Sequence, residues 1–224
     1  MTPSPVLEAR LAALAAERDP EFDPPPFDAA VAEVLGPAGA PGTPHRRLLE
    51  RMNGAYLFGR ALHLFGACEG PPWHGLRAWN DPAGWRASFG PLADGYVFFA
   101  EDAFGDQYAY SRRPGDAAAA VVRFETETGH ASTVAPHLEA WLDALLADPA
   151  AVLPVDVLAA QAAEGKRLQP GWQLVAWPPL ASVEARDGVT VGHADALEAM
   201  RFRGQLARQI AALPNGSQIE LVIE

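Results

Sequence analysis

Three things are scarce in this 224-residue chain: cysteine, basic charge and long apolar runs. Its single cysteine, Cys68, excludes an intramolecular disulfide, which fits a reducing compartment. Lysine and arginine total 17 against 28 aspartates and glutamates, a formal net charge of -11. That excess repels nucleic-acid phosphates and anionic lipid, and it speeds encounter with a basic protein. No apolar stretch approaches the roughly 20 residues that a membrane-spanning helix needs. The opening residues, Met1 to Arg10, lack the basic-then-apolar order of a secretion signal. The cytoplasm is therefore the expected location, with no nucleic-acid and no membrane partner. What is plentiful is apolar residue, 49% against 20% charged, which is the composition of a folded chain long enough for a sizeable core.

Periodicity and punctuation divide the chain into three expected parts: an N-terminal helical and proline-rich extension over 1–42, a core domain over 43–150, and a smaller α+β extension over 151–224. Val6, Leu7, Leu11 and Leu14 share one face of a first helix, which Asp19-Pro20 and Pro24-Pro25-Pro26 stop. Asp28 is placed to cap a second short helix through Leu35. Gly36 to Gly42 reads as a linker, since no strand precedes its glycines and two prolines interrupt them. Thr43-Pro44 pairs a cap residue with proline at the first helical position, and Asn53-Gly54 ends that helix. Leu57-Phe58 and Leu62 to Phe65 read as short strands. Pro136 opens a helix with Leu138, Trp141, Leu142 and Leu145 on one face. Beyond it the pattern predicts a helix at Val157-Leu158, a strand at Trp172 to Ala176, and a hairpin from Val183 to Val191 turning at Asp187-Gly188. A helix capped by Asp195 and a last strand over 218–223 follow.

The most informative stretch runs from Gly95 to Tyr110. Two aromatic-rich runs flank Glu101-Asp102-Ala103-Phe104-Gly105-Asp106, which reads as a hairpin with an acidic tip. Three carboxylates are costly to bury, so the tip is expected to present charge to solvent or to a partner. Two further strands, Ala119 to Glu125 and Ala131 to Val134, surround Thr128-Gly129.

The order of these parts resembles the SMI1/KNR4 family, also called the SUKH superfamily, over roughly residues 43 to 150. The resemblance rests on Met52-Asn53-Gly54, the strand Leu62 to Gly66, the tryptophans after it, the element Gly105-Asp106-Gln107-Tyr108, and Leu138-Glu139 with Trp141. It implies an α+β fold, a mostly antiparallel central sheet with helices packed around it. It also implies protein binding: bacterial members resemble immunity proteins that block toxins, and others resemble regulators acting through protein partners. No shared catalytic set comes with it, so the chain is expected not to be an enzyme and to need no cofactor. In the family pattern Gly105 and Asp106 shape the turn.

Other chemistries find weaker support. A divalent cation at Glu101, Asp102 and Asp106 has suitable oxygen donors, but the spacing departs from calcium loops and adjacent strand residues point to opposite faces. His63, Cys68 and His74 match no compact zinc spacing, and no fourth ligand is evident. Glu69 beside Cys68 would raise its thiol pKa, against a nucleophilic role. Trp73, Trp79 and Trp85 read most simply as a lid over the sheet, while exposed tryptophans would anchor a partner.

The sequence therefore points to a non-enzymatic module of immunity type, neutralising a basic, nuclease- or deaminase-like toxin through an acidic surface. The alternative is a cytoplasmic scaffold or regulator of an endogenous protein. The candidate partner-binding residues are Glu101, Asp102 and Asp106 at the tip, Glu125 and Glu127 beside it, and Trp73 and Trp79. No catalytic, cofactor or metal residues are expected.

Overall fold

The structure is a computed structural model and describes residues 4–213. Its centre is a six-stranded sheet in which every neighbour is antiparallel and strand order follows chain order. The strands are β1 Ala55–Leu57, β2 Leu62–Leu64, β3 Tyr96–Asp102, β4 Gln107–Ser111, β5 Val121–Phe124 and β6 Ala131–Ala135. The expected α+β class is what is found.

Every residue of β3 and β4 is buried, because both faces of the sheet are covered. Helices α1 (Pro5–Ala16), α3 (Pro44–Arg51) and α6 (Leu138–Ala147) pack together on one side. Trp141 of α6 meets Phe99 of β3 edge-on at 5.4 Å between ring centres and lies 5.0 Å from Tyr108 of β4. Edge-to-face contacts of this kind suit the aromatic quadrupole. The opposite face carries Phe98 and Phe124, which meet Trp85 and Phe89 of the segment holding α4 (Leu76–Trp79) and α5 (Arg86–Phe89). Trp79 and Trp85 are fully buried there, so the tryptophan stretch is a lid over the sheet.

The punctuation works as its chemistry requires. Thr43 accepts the Arg46 amide and Asp28 accepts the Ala30 amide, the latter capping α2 (Ala29–Ala32). In α1, Leu7, Leu11 and Leu14 are buried while Val6 faces solvent. Gly36 to Gly42 is less free than a linker: Glu33–Gly39 forms tight 3-10 turns held down by buried Leu35.

After α6 come α7 (Val155–Ala163), a ribbon of β7 (Trp172–Trp177) with β8 (Thr190–Asp195), and α8 (Ala196–Ala211) capped by Asp195. The expected hairpin at Val183 to Val191 is corrected here. Glu184–Asp187 makes a 3-10 turn, and β8 pairs with β7 across it. Pairing with the more apolar β7 extends the ribbon over six residues, a gain the polar Glu184 to Asp187 segment could not match. The strand expected over 218–223 lies outside the described residues. Buried residues from α1, the sheet and α8 form one contiguous apolar core. Gly204 lets α8 approach α5, since a Cβ there would stand 2.7 Å from the Phe89 ring.

Candidate partner-binding site

The β3–β4 hairpin forms where expected, but its carboxylates do not stand free. Asp102 Oδ1 accepts the backbone amides of Phe104 (2.9 Å) and Asp106 (3.1 Å), which folds the tip back on itself. The loop closes through Asp102 N to Asp106 O at 2.9 Å, with Gly105 at φ +82. Asp102 is only 3% exposed and Glu101 only 4%. The expectation that the tip displays all three acids is thus corrected. Local and distant hydrogen-bond donors offset part of the cost that made burial look prohibitive.

Glu101 and Asp102 do point to opposite faces. Glu101 Oε2 accepts Gln107 Nε2 at 3.1 Å and Gln173 Nε2 of β7 at 2.7 Å, while Oε1 lies 3.1 Å from His63 Nδ1. Arg203 of α8 donates to Gln173 Oε1 at 2.5 Å and to the Leu174 carbonyl at 2.7 Å. Burial is the main cause that raises the Glu101 carboxyl to about 7, partly offset by the two glutamine donors. Glu101 is enclosed by this network and unavailable to a partner. Trp79, a further buried candidate, donates its indole N–H to Gln107 Oε1 at 2.8 Å and is a core residue. Trp73 is half-buried beside Tyr56 and His63, and Gly171 packs against its indole.

His63 Nε2 lies 3.0 Å from His74 Nδ1, so both ring nitrogens of His63 are engaged in hydrogen bonds. Burial lowers both imidazoles to about 3, which keeps them neutral. Cys68 is pushed up to about 11 by burial, then by Glu69 and Asp28, the direction expected for an inert thiol. Among the described residues no group of three or more histidine, cysteine or carboxylate side chains is placed to hold a metal ion.

On the Asp102 side a pocket of about 400 Å³ opens. Asp102 and Asp106 form part of its wall, and Glu125, Glu127 and Arg123 of the β5–β6 region form another. Asp106 Oδ2 accepts Arg123 Nη2 at 2.6 Å, and its Oδ1 accepts the Thr126 amide at 2.8 Å. Val152 to Pro154, before α7, and Leu180 with Ala181, after β7, complete the lining. Glu127 reaches across to accept the Ala181 amide at 2.7 Å. Burial, and then the neighbouring Asp106 charge, raise the Asp102 carboxyl well above the usual carboxylate range, against the pull of Arg123.

Four of the residues singled out from sequence (Asp102, Asp106, Glu125 and Glu127) therefore meet in one pocket, and Glu101, Trp73 and Trp79 do not line it. Sequence reasoning missed Arg123, Val152 to Pro154 and Leu180. Arg123 carried a weak signal, as a lone cation on a strand adjoining the acidic hairpin. The apolar wall carried none, because it comes from connecting segments far along the chain.

Taken together, these features define an α+β protein whose antiparallel meander carries a half-acidic, half-apolar pocket at the end of its central hairpin. Residues 44–144 match the SMI1 / KNR4 family (SUKH-1), which bears out the resemblance read over roughly 43 to 150. No curated protein and no solved structure gives a match. The family segment contributes the acidic wall of the pocket, and Ala150 to Pro154, Leu180 and Ala181 lie beyond it.

Proposed function

We propose that this protein is a non-enzymatic binding module of immunity type, which neutralises a basic toxin domain by occluding its working surface. The observation that carries this reading is the pocket that gathers Asp102, Asp106, Glu125 and Glu127 around a single arginine, Arg123. On a chain of net charge -11, that arrangement favours a positively charged partner through electrostatic steering and complementarity. The family match over 44–144 supports protein binding in general. A standard interface buries about 1,600 Å² in total, more than one pocket offers. Exposed apolar side chains would supply part of the rest: Leu180 in the pocket lining is 48% exposed, and Trp177 at the end of β7 is 50% exposed.

The test is co-expression with the toxin-like product of a neighbouring gene, followed by co-purification and a cell-survival assay. Protection that is lost in Glu125→Lys/Glu127→Lys, with the fold retained, is the expected result. The absence of both protection and co-purification with any such product would overturn the reading. Binding to an endogenous protein without protection would favour the scaffold alternative.

A further inference from the structure

The pocket has two halves of different chemistry. One is acidic: Asp102, Asp106, Glu125 and Glu127, against the lone cation Arg123. The other is apolar: Phe104, Val152, Leu153, Pro154 and Leu180. Its volume of about 400 Å³ lies at the lower end of the range of roughly 300–1,000 Å³ typical of sites that enclose a small group. Acidity alone would be a solvated surface. The distinguishing feature is Asp102, which is 97% buried in the pocket wall. Its Oδ1 takes two backbone donors, whereas Oδ2 accepts no hydrogen bond among the described residues, and Arg123 Nη2 stands 3.7 Å from it. This carboxyl oxygen faces the pocket without a donor and is open to one from outside.

Resting on the binding function proposed above, we propose that the pocket receives one long cationic side chain, an arginine or lysine of the partner, as the anchor of the interface. Its methylene stem lies along Leu153, Pro154 and Leu180, and its charged head meets Asp102 Oδ2 with Glu125 and Glu127 around it. Long basic side chains have this division of an apolar stem and a charged head. Arginine and tryptophan anchors that fill desolvated pockets dominate many interfaces. The walls come from both sides of the family boundary. The acidic half is a property of the family segment, and the apolar half selects which partner residue fits.

The experiment is an NMR titration of the full chain with three blocked tripeptides, acetyl-Gly-X-Gly-amide, where X is arginine, lysine or citrulline. Citrulline keeps the shape of arginine and removes its charge. The expected result is saturable, millimolar-range shifts of the Thr126, Glu127 and Ala181 amides with arginine or lysine, and none with citrulline. Glu127→Gln and Leu180→Ser should each weaken the response several-fold, the second without changing any charge. Equal shifts with citrulline, shifts that leave those three amides untouched, or no saturable shift at all would overturn the inference. Capture of the toxin partner by a chain that ignores the cationic peptides would refute the anchor and leave the binding function standing. Peptide binding without any toxin partner would refute the function and leave the anchor standing.

Discussion

Gly105 lies directly beneath Arg203. A Cβ at Gly105 would stand 2.7 Å from Arg203 Nη1 and 2.5 Å from Gln173 Oε1, closer than side chains tolerate. The turn glycine of the family segment thus doubles as the seat on which the C-terminal extension docks. Gly105→Ala should therefore cost more than its left-handed backbone alone would imply. Gly115, at φ +92 with open space around it, is the control. Gly115→Ala should lose about 1 kcal/mol from backbone strain. Gly105→Ala should lose about 2 kcal/mol beyond that, as overpacking against buried groups does. Urea denaturation of the two variants measures the difference.

Glu101 gives a pH signature whose direction follows from its raised carboxyl. Its native-state value of about 7 exceeds the ordinary 4.5, so the native state holds a proton that the unfolded chain has released. Its contribution is full below about pH 4.5 and is lost as pH climbs through 7. The swing is on the order of 3 kcal/mol. The buried imidazoles of His45, His63 and His74 work in the opposite sense: each lies near 3, so stability falls as pH drops below 6.5. The clean readout is therefore the difference between the native chain and Glu101→Gln. Stability measured from pH 4.5 to 7.5 should fall more steeply with rising pH, or rise less, in the native chain than in the variant. Parallel curves would refute the assignment.

Asp106 and Asp102 are linked by charge across the pocket wall. Burial is the first cause of the raised Asp102 carboxyl and the Asp106 charge is the second. Asp106→Asn removes the second cause and leaves the first. The Asp102 carboxyl resonance, followed by NMR through a pH titration, should then titrate lower than in the native chain, yet still above an exposed aspartate.

Arg60 and Asp19 form a buried ion pair in which both side chains are almost fully enclosed. Arg60 also donates to the Leu168 carbonyl at 2.6 Å. Arg60→Met would leave Asp19 with Arg167, at 3.4 Å, as its remaining cation. Removing one member of a buried pair typically costs about 3–5 kcal/mol. A loss toward the lower end is expected here, measured by thermal or denaturant unfolding.

Cys68 should react slowly with thiol reagents at pH 8, because burial holds its thiol near 11 and the thiolate is scarce. Alkylation monitored by mass spectrometry should accelerate at least tenfold once the chain is unfolded in urea. Similar rates in both states would show that the thiol is accessible and activated.

Much of the framework could be read from local chemistry. Thr43-Pro44, Asp28 and Asp195 begin helices because each cap acts within three residues. The Gly95 to Tyr110 hairpin was visible because its aromatics and its turn are contiguous. The state of its acids was not. Gln173, 72 residues from Glu101, supplies one of its donors, and Asp102 meets Arg123 only once β4 and β5 pair. A carboxylate looks exposed in sequence until its donors are known. The Val183 to Val191 hairpin failed for a related reason. Asp187-Gly188 has turn chemistry, but β8 found a better partner in β7.

The guanidinium of Arg60 touches residues contributed before and after the stretch that defines the family. An excised piece spanning 44–144 would strip that cation of its counter-ion and bare the carboxyl of Glu101 to water. A foreign tail grafted onto this sheet would have to carry counterparts of both Gln173 and Arg203. The matched segment thus holds buried polar groups whose partners lie outside it, and a piece trimmed to 44–144 should be prone to aggregation.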